Sequence, residues 1–171
     1  YSPEASNSEL IYNWGGATAP SVFGDGEWWR LLVSVFLHTG LFHIIGNVVT
    51  YCLVVSFMLS FLRARNIFFT FLLSGVFSVC VGLHFSGGGV VGASGGVFGL
   101  MGATIALCLL PQQRRKSANK VILVITSVLM FINLFLSLAG GISFSGHISG
   151  LLAGAVVGWL LYLYEHREKM Y

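Results

Sequence analysis

The chain has 171 residues, of which 56% are hydrophobic and only 9% are charged, and its mean hydropathy is +0.84. A soluble globular domain carries roughly 25% charged residues, so this composition excludes an ordinary soluble domain and predicts an integral membrane protein. The net charge of +3 is too small and too scattered to predict a nucleic-acid partner.

The first 40 residues contain no apolar run long enough to span a membrane. Residues 1–30 are polar and rich in turn-forming residues, whereas residues 31–40 are apolar and predict a short re-entrant or interfacial segment. Neither the basic nor the apolar region of a signal peptide is visible at the start. We therefore predict that residues 1–40 form an outer loop region with an interfacial segment.

Five apolar segments follow, and their lengths are typical of transmembrane helices. They comprise residues 41–62, 67–85, 94–110, 121–139 and 144–164. The predicted fold class is therefore all-α: a polytopic membrane helical bundle in residues 41–164, with a cytoplasmic tail in residues 165–171. Three cysteines lie inside these segments without a Cys-x-x-Cys motif, which favours packing over disulfide or metal roles. They are Cys52, Cys80 and Cys108.

Basic residues predict the orientation of this bundle. They follow the first, third and fifth segments, at Arg63, Arg65, Arg114, Arg115, Lys116, Lys120, Arg167 and Lys169. The opposite side carries Arg30 and the acids Glu4, Glu9, Asp25 and Glu27. By the positive-inside rule the basic loops and the tail are cytoplasmic, and residues 1–40 and the loops 86–93 and 140–143 face outward. An outward N-terminus without an export signal predicts a further transmembrane helix upstream of Tyr1.

A serine and a histidine occur among glycines at the outer ends of two segments. Ser94 lies in Gly92-Ala93-Ser94-Gly95-Gly96, and His147 lies in Gly146-His147-Ile148-Ser149-Gly150. At about 1.5 Å per residue, Ser94, His147 and Asn47 all lie roughly 24–27 Å above the cytoplasmic boundary. Three polar residues at one depth favour a common site.

Small residues line the two helices that carry Ser94 and His147. The last segment has Gly146, Gly150, Gly154 and Gly158 at four-residue spacing, and the third has Gly95, Gly99 and Ala103. Such spacing lets helix backbones approach closely in lipid. For the glycines alone, helix packing is the simpler interpretation, but the same packing would bring Ser94 within reach of His147.

Each of the two polar residues also has a structural interpretation, because serine can bond its own helix and histidine can bond across helices. An ionisable residue is costly inside a membrane, however, and is therefore a functional candidate. No Asp or Glu lies between Glu27 and Glu165. The predicted chemistry is therefore that of a dyad, with Ser94 as nucleophile and His147 as general base and then general acid. The same absence excludes a His-Glu-x-x-His zinc site and an aspartyl protease pair, and no metal or cofactor is predicted.

The segment from His38 to Asn47 supplies further candidates. His43 and Asn47 are four residues apart and share one helix face. Their side chains, with the Ser94 backbone N–H at a helix start, could stabilise an oxyanion, and a structural network is the alternative. For His38, hydrogen bonding to the loop backbone is favoured over a catalytic role.

These motifs together resemble those of the rhomboid intramembrane serine proteases. The matching elements, in the family's order, are Glu27-Trp28-Trp29-Arg30, His38…His43…Asn47, Gly92-Ala93-Ser94-Gly95 and Gly146-His147-x-x-Gly150-x-x-x-Gly154. The resemblance implies a rhomboid-like protease core in residues 41–164, a Ser94–His147 dyad, and Asn47 and His43 near the oxyanion. It implies supporting roles for His38 and Gly92, and a structural role for Trp29 and Arg30 in the first outer loop.

The resemblance also implies an endopeptidase that cleaves transmembrane segments of membrane proteins near the outer face, usually after a small residue. The expected location is a bacterial plasma membrane, with the active site opening to the outer side. Two departures stand out. The family has six helices, and the first is absent from these five. Phe98 stands where many bacterial members have tyrosine, so it can stack on His147 but brings no hydroxyl.

Two other classes of function stay open. A catalytically inactive rhomboid-like protein would bind transmembrane clients without cleaving them, although the retention of Ser94, His147 and Asn47 argues against it. A small transporter would need polar residues facing each other along a midplane path, and Asn133 is the lone clear candidate. The predicted partners are thus transmembrane protein substrates and the lipid bilayer, and no oligomeric state is predicted.

Overall fold

The computed structural model describes residues 7–86, 88–139 and 144–167. Within these ranges the α-helices are α1 Asn7–Asn13, α2 Trp29–Ser34, α3 Leu41–Met58, α4 Ala64–Ser86, α5 Ser94–Cys108, α6 Ser117–Ala139 and α7 Phe144–His166. A π-helical turn occupies Pro20–Gly24, and the short strands β1 Ala17–Thr18 and β2 Gly89–Val90 pair antiparallel. The predicted polytopic helical bundle is confirmed, with this two-stranded ladder as an addition that sequence patterning did not predict.

Four of the described helices are long and apolar enough to cross a membrane: α3, α4, α6 and α7. Helix α5 is also apolar, but its 15 residues span only about 22 Å at 1.5 Å per residue, less than the roughly 30 Å of a hydrocarbon core. It ends at Cys108, because Pro111 cannot continue the helix and restricts the residue before it. The third predicted segment is therefore shorter in the structure than in the sequence pattern.

Helix α5 lies at the centre of the bundle. Twelve of its 15 residues are buried, and it packs against α3, α4, α6 and α7. A methyl group added at Gly150 would strike the backbone of Gly95, and one added at Gly154 would strike the backbone of Gly99. The predicted close approach of α5 and α7 through small residues is therefore confirmed.

A row of small polar residues on α4 faces the same pair. Methyl groups added at Gly95 and Gly99 would strike the side chains of Ser78 and Ser74, respectively. Ser78 Oγ donates to the Gly146 carbonyl at 2.7 Å, whereas Ser74 Oγ donates to the Thr70 carbonyl of its own helix at 2.5 Å. Each hydroxyl thus has a partner in the bundle interior, where an unpaired hydroxyl would be costly.

Residues 7–40 are more ordered than their turn-rich sequence predicts. Arg30 is only 7% exposed, and its guanidinium lies between the rings of Tyr12 and Trp29, 4.3 and 4.7 Å from their centroids. Its guanidinium donates to the Tyr12 and Gly16 carbonyls at 2.7 and 3.1 Å and pairs with Glu27 at 2.5 Å. One buried cation therefore fixes the chain between α1 and α2. The apolar residues 31–40 begin in α2 and continue as a loop.

Contacts at the opposite end of the bundle join α4 to α7. The Glu165 carboxylate accepts the Arg63 N–H at 3.1 Å and the Asn66 side-chain amide at 2.5 Å, and so caps the start of α4. Several predicted features lie outside the described residues, namely Glu4, the outer loop 140–143, Lys169 and the rest of the tail from residue 168.

Candidate active site

Ser94 is the first residue of α5 and is partly buried. The first N–H groups of a helix have no partner within that helix, and the helix dipole adds partial positive charge there. The chain reaches this position through Gly92, whose φ of +127° is a conformation that other residues rarely adopt. The local sequence thus sets a hydroxyl beside backbone donors.

His147 lies in the first turn of α7 and is 4% exposed. Its Nε2 lies 2.8 Å from Ser94 Oγ. Phe98, one turn after Ser94, stacks on the imidazole with ring centroids 4.4 Å apart and an interplanar angle of 14°. The stacked phenyl ring and the close contact of α5 with α7 hold the imidazole edge toward the hydroxyl. When Nε2 carries no hydrogen, it can accept the proton of Ser94.

A cavity of about 160 Å³ adjoins this pair. Four helices contribute to its wall, since Ser94 and His147 are joined by side chains from α3 and α6. The other lining residues are Phe42, His43, Gly46, Asn47, Thr50, Val97, Phe98, Met101 and Asn133. The structure therefore brings together Ser94, His147, Asn47 and His43, the four residues that the sequence analysis selected for chemistry.

Two nitrogen atoms on α3 are notable in this cavity. His43 Nε2 and Asn47 Nδ2 are buried, and neither has a hydrogen-bond partner among the described residues. The other ring nitrogen of His43, Nδ1, lies 3.2 Å from Thr39 Oγ1. If Nδ1 accepts the Thr39 hydroxyl hydrogen, Nε2 carries the ring hydrogen and is a donor. Buried donors without partners are uncommon in folded proteins, so this pair is suited to an acceptor on a ligand.

Gly92 also shapes the cavity wall. A Cβ at this position would lie 2.8 Å from His43 Cε1 and 2.9 Å from His43 Nε2. The imidazole therefore packs directly on the α-carbon of Gly92, and only glycine allows both the positive φ and this contact.

His38 lies behind His43. The two rings meet edge to face with centroids 5.0 Å apart, and His38 Nδ1 donates to the Phe36 carbonyl at 3.2 Å. Burial lowers the pKa of His38 below its ordinary value, and the hydrogen bond to Phe36 opposes that shift. His38 does not line the cavity beside Ser94, and its bond to the loop backbone is the one that the sequence analysis favoured.

Two predicted supporting residues lie elsewhere. Arg30 packs on the rings of Trp29 and Tyr12 near the N-terminus, and neither Trp29 nor Arg30 lines the cavity. Conversely, sequence reasoning missed Thr50 and Met101, and it assigned Asn133 only to a transporter path. Asn133 Nδ2 donates to the Leu129 carbonyl of its own helix at 2.8 Å. A polar residue within the apolar α6 was a usable signal, whereas nothing in the sequence pattern marked Met101.

The comparisons with known proteins agree with this architecture. A family model described as the Rhomboid domain matches residues 25–164. Over 151 residues the chain is 31% identical to the rhomboid protease GluP of Bacillus subtilis, covering 88% of this chain and 29% of that protein. It is 33% identical over 165 residues to Rhomboid-like protease 1 of Toxoplasma gondii, covering 90% and 54%, respectively. It is 30% identical over 162 residues to RHOMBOID-like protein 4 of Arabidopsis thaliana, covering 94% and 41%.

The fold and the site thus define a polytopic membrane protein of the helical-bundle class. The chain belongs to the rhomboid family. It spans between about a third and about half of the length of these three relatives. Because the relatives come from both a bacterium and eukaryotes, the particular membrane stays a prediction.

Proposed function

We propose that this rhomboid family member is an intramembrane serine endopeptidase, with Ser94 as nucleophile and His147 as general base. The observation that carries the proposal is the 2.8 Å separation of Ser94 Oγ and His147 Nε2 beside a cavity. A serine hydroxyl is a weak nucleophile unless a base within hydrogen-bond reach takes its proton.

The reaction follows from these positions. Ser94 Oγ attacks the carbonyl carbon of the scissile bond while its proton passes to His147 Nε2. The carbonyl oxygen becomes an oxyanion, for which Asn47 Nδ2, His43 Nε2 and the Ser94 backbone N–H are the proposed donors. His147 then gives its proton to the leaving nitrogen as the C–N bond breaks. His147 next takes a proton from water as the water oxygen attacks the acyl carbon, and it returns this proton to Ser94 Oγ as the ester bond breaks. These steps need no metal or cofactor.

The proposed substrates are transmembrane segments of membrane proteins, cut near the outer face after a small residue. The reacting atoms lie at the start of α5 and α7, away from the basic helix ends, which supports an outward-facing site. The exposed basic side chains at the other end of the helices are those of Arg63, Arg65, Arg114, Arg115, Lys116 and Lys120. By the positive-inside rule that end is cytoplasmic, and we propose a bacterial plasma membrane as the location.

Cysteine accessibility tests this orientation. In a background lacking Cys52, Cys80 and Cys108, the exposed positions Asp25 and Ser117 are each replaced by cysteine. In intact cells a membrane-impermeant thiol reagent should modify Asp25→Cys but not Ser117→Cys. The reverse labelling would place the site at the cytoplasmic face.

Cleavage of a model transmembrane substrate in proteoliposomes tests the chemistry. Ser94→Ala and His147→Ala should each reduce cleavage to background, and the double variant should be no worse, because a dyad acts as a unit. Ser56→Ala is the control, since the Ser56 hydroxyl is exposed on α3 and bonds only its own helix. Substantial turnover by folded Ser94→Ala would contradict the assignment. A folded wild type that binds the substrate without cleaving it would favour an inactive rhomboid-like protein.

A further inference from the structure

Ser34, the last residue of α2, ties the outer loop region to the loop in front of Ser94. Its Oγ accepts the Ala17 N–H at 2.7 Å, and its carbonyl accepts the Gly92 N–H at 2.9 Å. Ala17 belongs to β1 and pairs with Val90 of β2, two residues before Gly92. One residue therefore holds β1 through its side chain and the segment after β2 through its backbone.

These links are buried. Ser34 is 0% exposed, Ala17 is 1% exposed, and Gly92 is also buried. Removing the Ser34 hydroxyl would take the acceptor away from a buried N–H, which is more costly than removing a hydrogen bond at the surface. Strand β1 would lose its hydrogen bond to the Ser34 side chain of α2.

The segment held in this way ends at the reacting atoms. Gly92 contacts the His43 ring through its α-carbon and lies two residues before Ser94. A displacement of Gly92 would therefore move the His43 ring and the Ser94 backbone N–H, both proposed oxyanion donors. The same displacement would not separate Ser94 Oγ from His147 Nε2, because α5 and α7 are held together by contacts between their own backbones.

We propose that Ser34 is a positioning residue for hydrolysis, which sets the oxyanion donors through β1 and Gly92. The inference rests on the proposed function. Since Ser34 does not line the cavity, it acts on the transition state through other residues and makes no contact with the substrate. Its loss should therefore lower kcat and leave KM nearly unchanged.

Two variants whose new side chains have the same shape test whether the hydroxyl matters as acceptor for the Ala17 N–H. Ser34→Thr keeps the hydroxyl, and Ser34→Val replaces it with a methyl group. Active sites are counted by titration with a fluorophosphonate. Per titrated site, the kcat of Ser34→Val should fall about tenfold or more, and its KM should stay within about twofold of the wild type. Such a loss is expected when the oxyanion donors shift by a fraction of an ångström. Ser34→Thr should stay within about threefold of the wild type, and Ser34→Ala, which adds no bulk, should match Ser34→Val.

Thr70→Val is the control, because Thr70 is also fully buried and its hydroxyl bonds only the Asn66 carbonyl of its own helix. It should change thermal unfolding without changing kcat per titrated site. Equal kcat for Ser34→Thr and Ser34→Val would overturn the positioning role and leave Ser34 as a structural residue. Absence of labelling at Ser94 in the wild type would overturn the proposed function itself, and this inference with it.

Discussion

Helices α5 and α7, which carry Ser94 and His147, are held differently from helix α3, which carries His43 and Asn47. Helix α5 has twelve of 15 residues buried and meets α7 backbone to backbone. In the 18-residue apolar stretches of α3 and α6, by contrast, only 17% and 11% of residues are buried, against 33% in α7 and 50% in α4. The site therefore has one tightly packed half, formed by α5 and α7, and one half, formed by α3 and α6, whose helices have few buried residues.

The two halves of the site are positioned by different contacts. The separation of Ser94 and His147 depends on contacts between glycine backbones, which leave little room for adjustment. The position of His43 depends on its contact with Gly92 and on Thr39, which bonds its ring from the loop before α3, because within α3 only Val54 and Met58 are buried. Substitutions in the two halves should accordingly produce different kinds of defect.

The largest effect is expected from Gly154→Ala. The added methyl group would meet the backbone of Gly99, which cannot move without separating α5 from α7. The variant should lose about 1–3 kcal/mol of stability from overpacking, together with most labelling of Ser94. Gly46→Ala on α3 is the control, because nothing lies within 4 Å of a Cβ there. Thermal unfolding should show Gly46→Ala to be as stable as the wild type or more so, and equal stability losses in both variants would contradict the comparison.

Asn47→Ala tests the less buried half directly. If Asn47 Nδ2 binds the oxyanion, its loss should lower kcat by up to about 10²–10³-fold, the usual effect of removing one donor. Because Ser94 and His147 stay in contact, labelling by a fluorophosphonate should remain detectable. Full activity of Asn47→Ala on every substrate tried would make Asn47 a structural residue.

A smaller effect is expected from Gly92→Ala, with Gly26→Ala as its matched control. Both glycines have positive φ, +127° and +74°, so an alanine at either position strains the backbone, at a cost of about 1–3 kcal/mol. Only the methyl group at position 92 would strike His43, since nothing lies within 4 Å of position 26. Steady-state kinetics should therefore show a lower kcat for Gly92→Ala alone. A matching loss in Gly26→Ala would mean that backbone strain and not the His43 contact is responsible.

The smallest effect concerns pH. Burial lowers the pKa of His38 below the ordinary value of 6.5, so the folded state binds fewer protons than the unfolded state at acidic pH. The contribution of His38 to the free energy of unfolding should therefore be constant well above pH 6.5. It should decline as the pH falls through 6.5 toward the lower pKa of the folded state. His38→Gln should show a smaller decline in unfolding temperature between pH 7.5 and pH 5.5 than the wild type, with the buffer and detergent held constant. A steeper decline in His38→Gln would reverse the sign of this contribution.

The sequence predicted which side chains of both halves lie together better than it predicted the loops that hold them. Four-residue glycine spacing and equal depth along two helices are periodic features, and they led directly to the contact of Ser94 with His147. Asn47 and His43 were found in the same way, from depth and from a shared helix face. The order of residues 7–40 could not be predicted, because it comes from one buried cation, Arg30, and from contacts between residues far apart in the sequence. The link from Ser34 to Ala17 and Gly92 joins three separate segments and leaves no periodic pattern to detect.

The central claim is that Ser94 and His147 form a working nucleophile and base. Chemical labelling is its most direct test. The folded wild-type protein is treated in detergent with a fluorophosphonate, and the modified residue is located by mass spectrometry. We expect a single modification, on Ser94, and no labelling of His147→Ala even though thermal unfolding shows that this variant is folded. A folded wild type without modification, a label on another serine, or undiminished labelling of His147→Ala would contradict it.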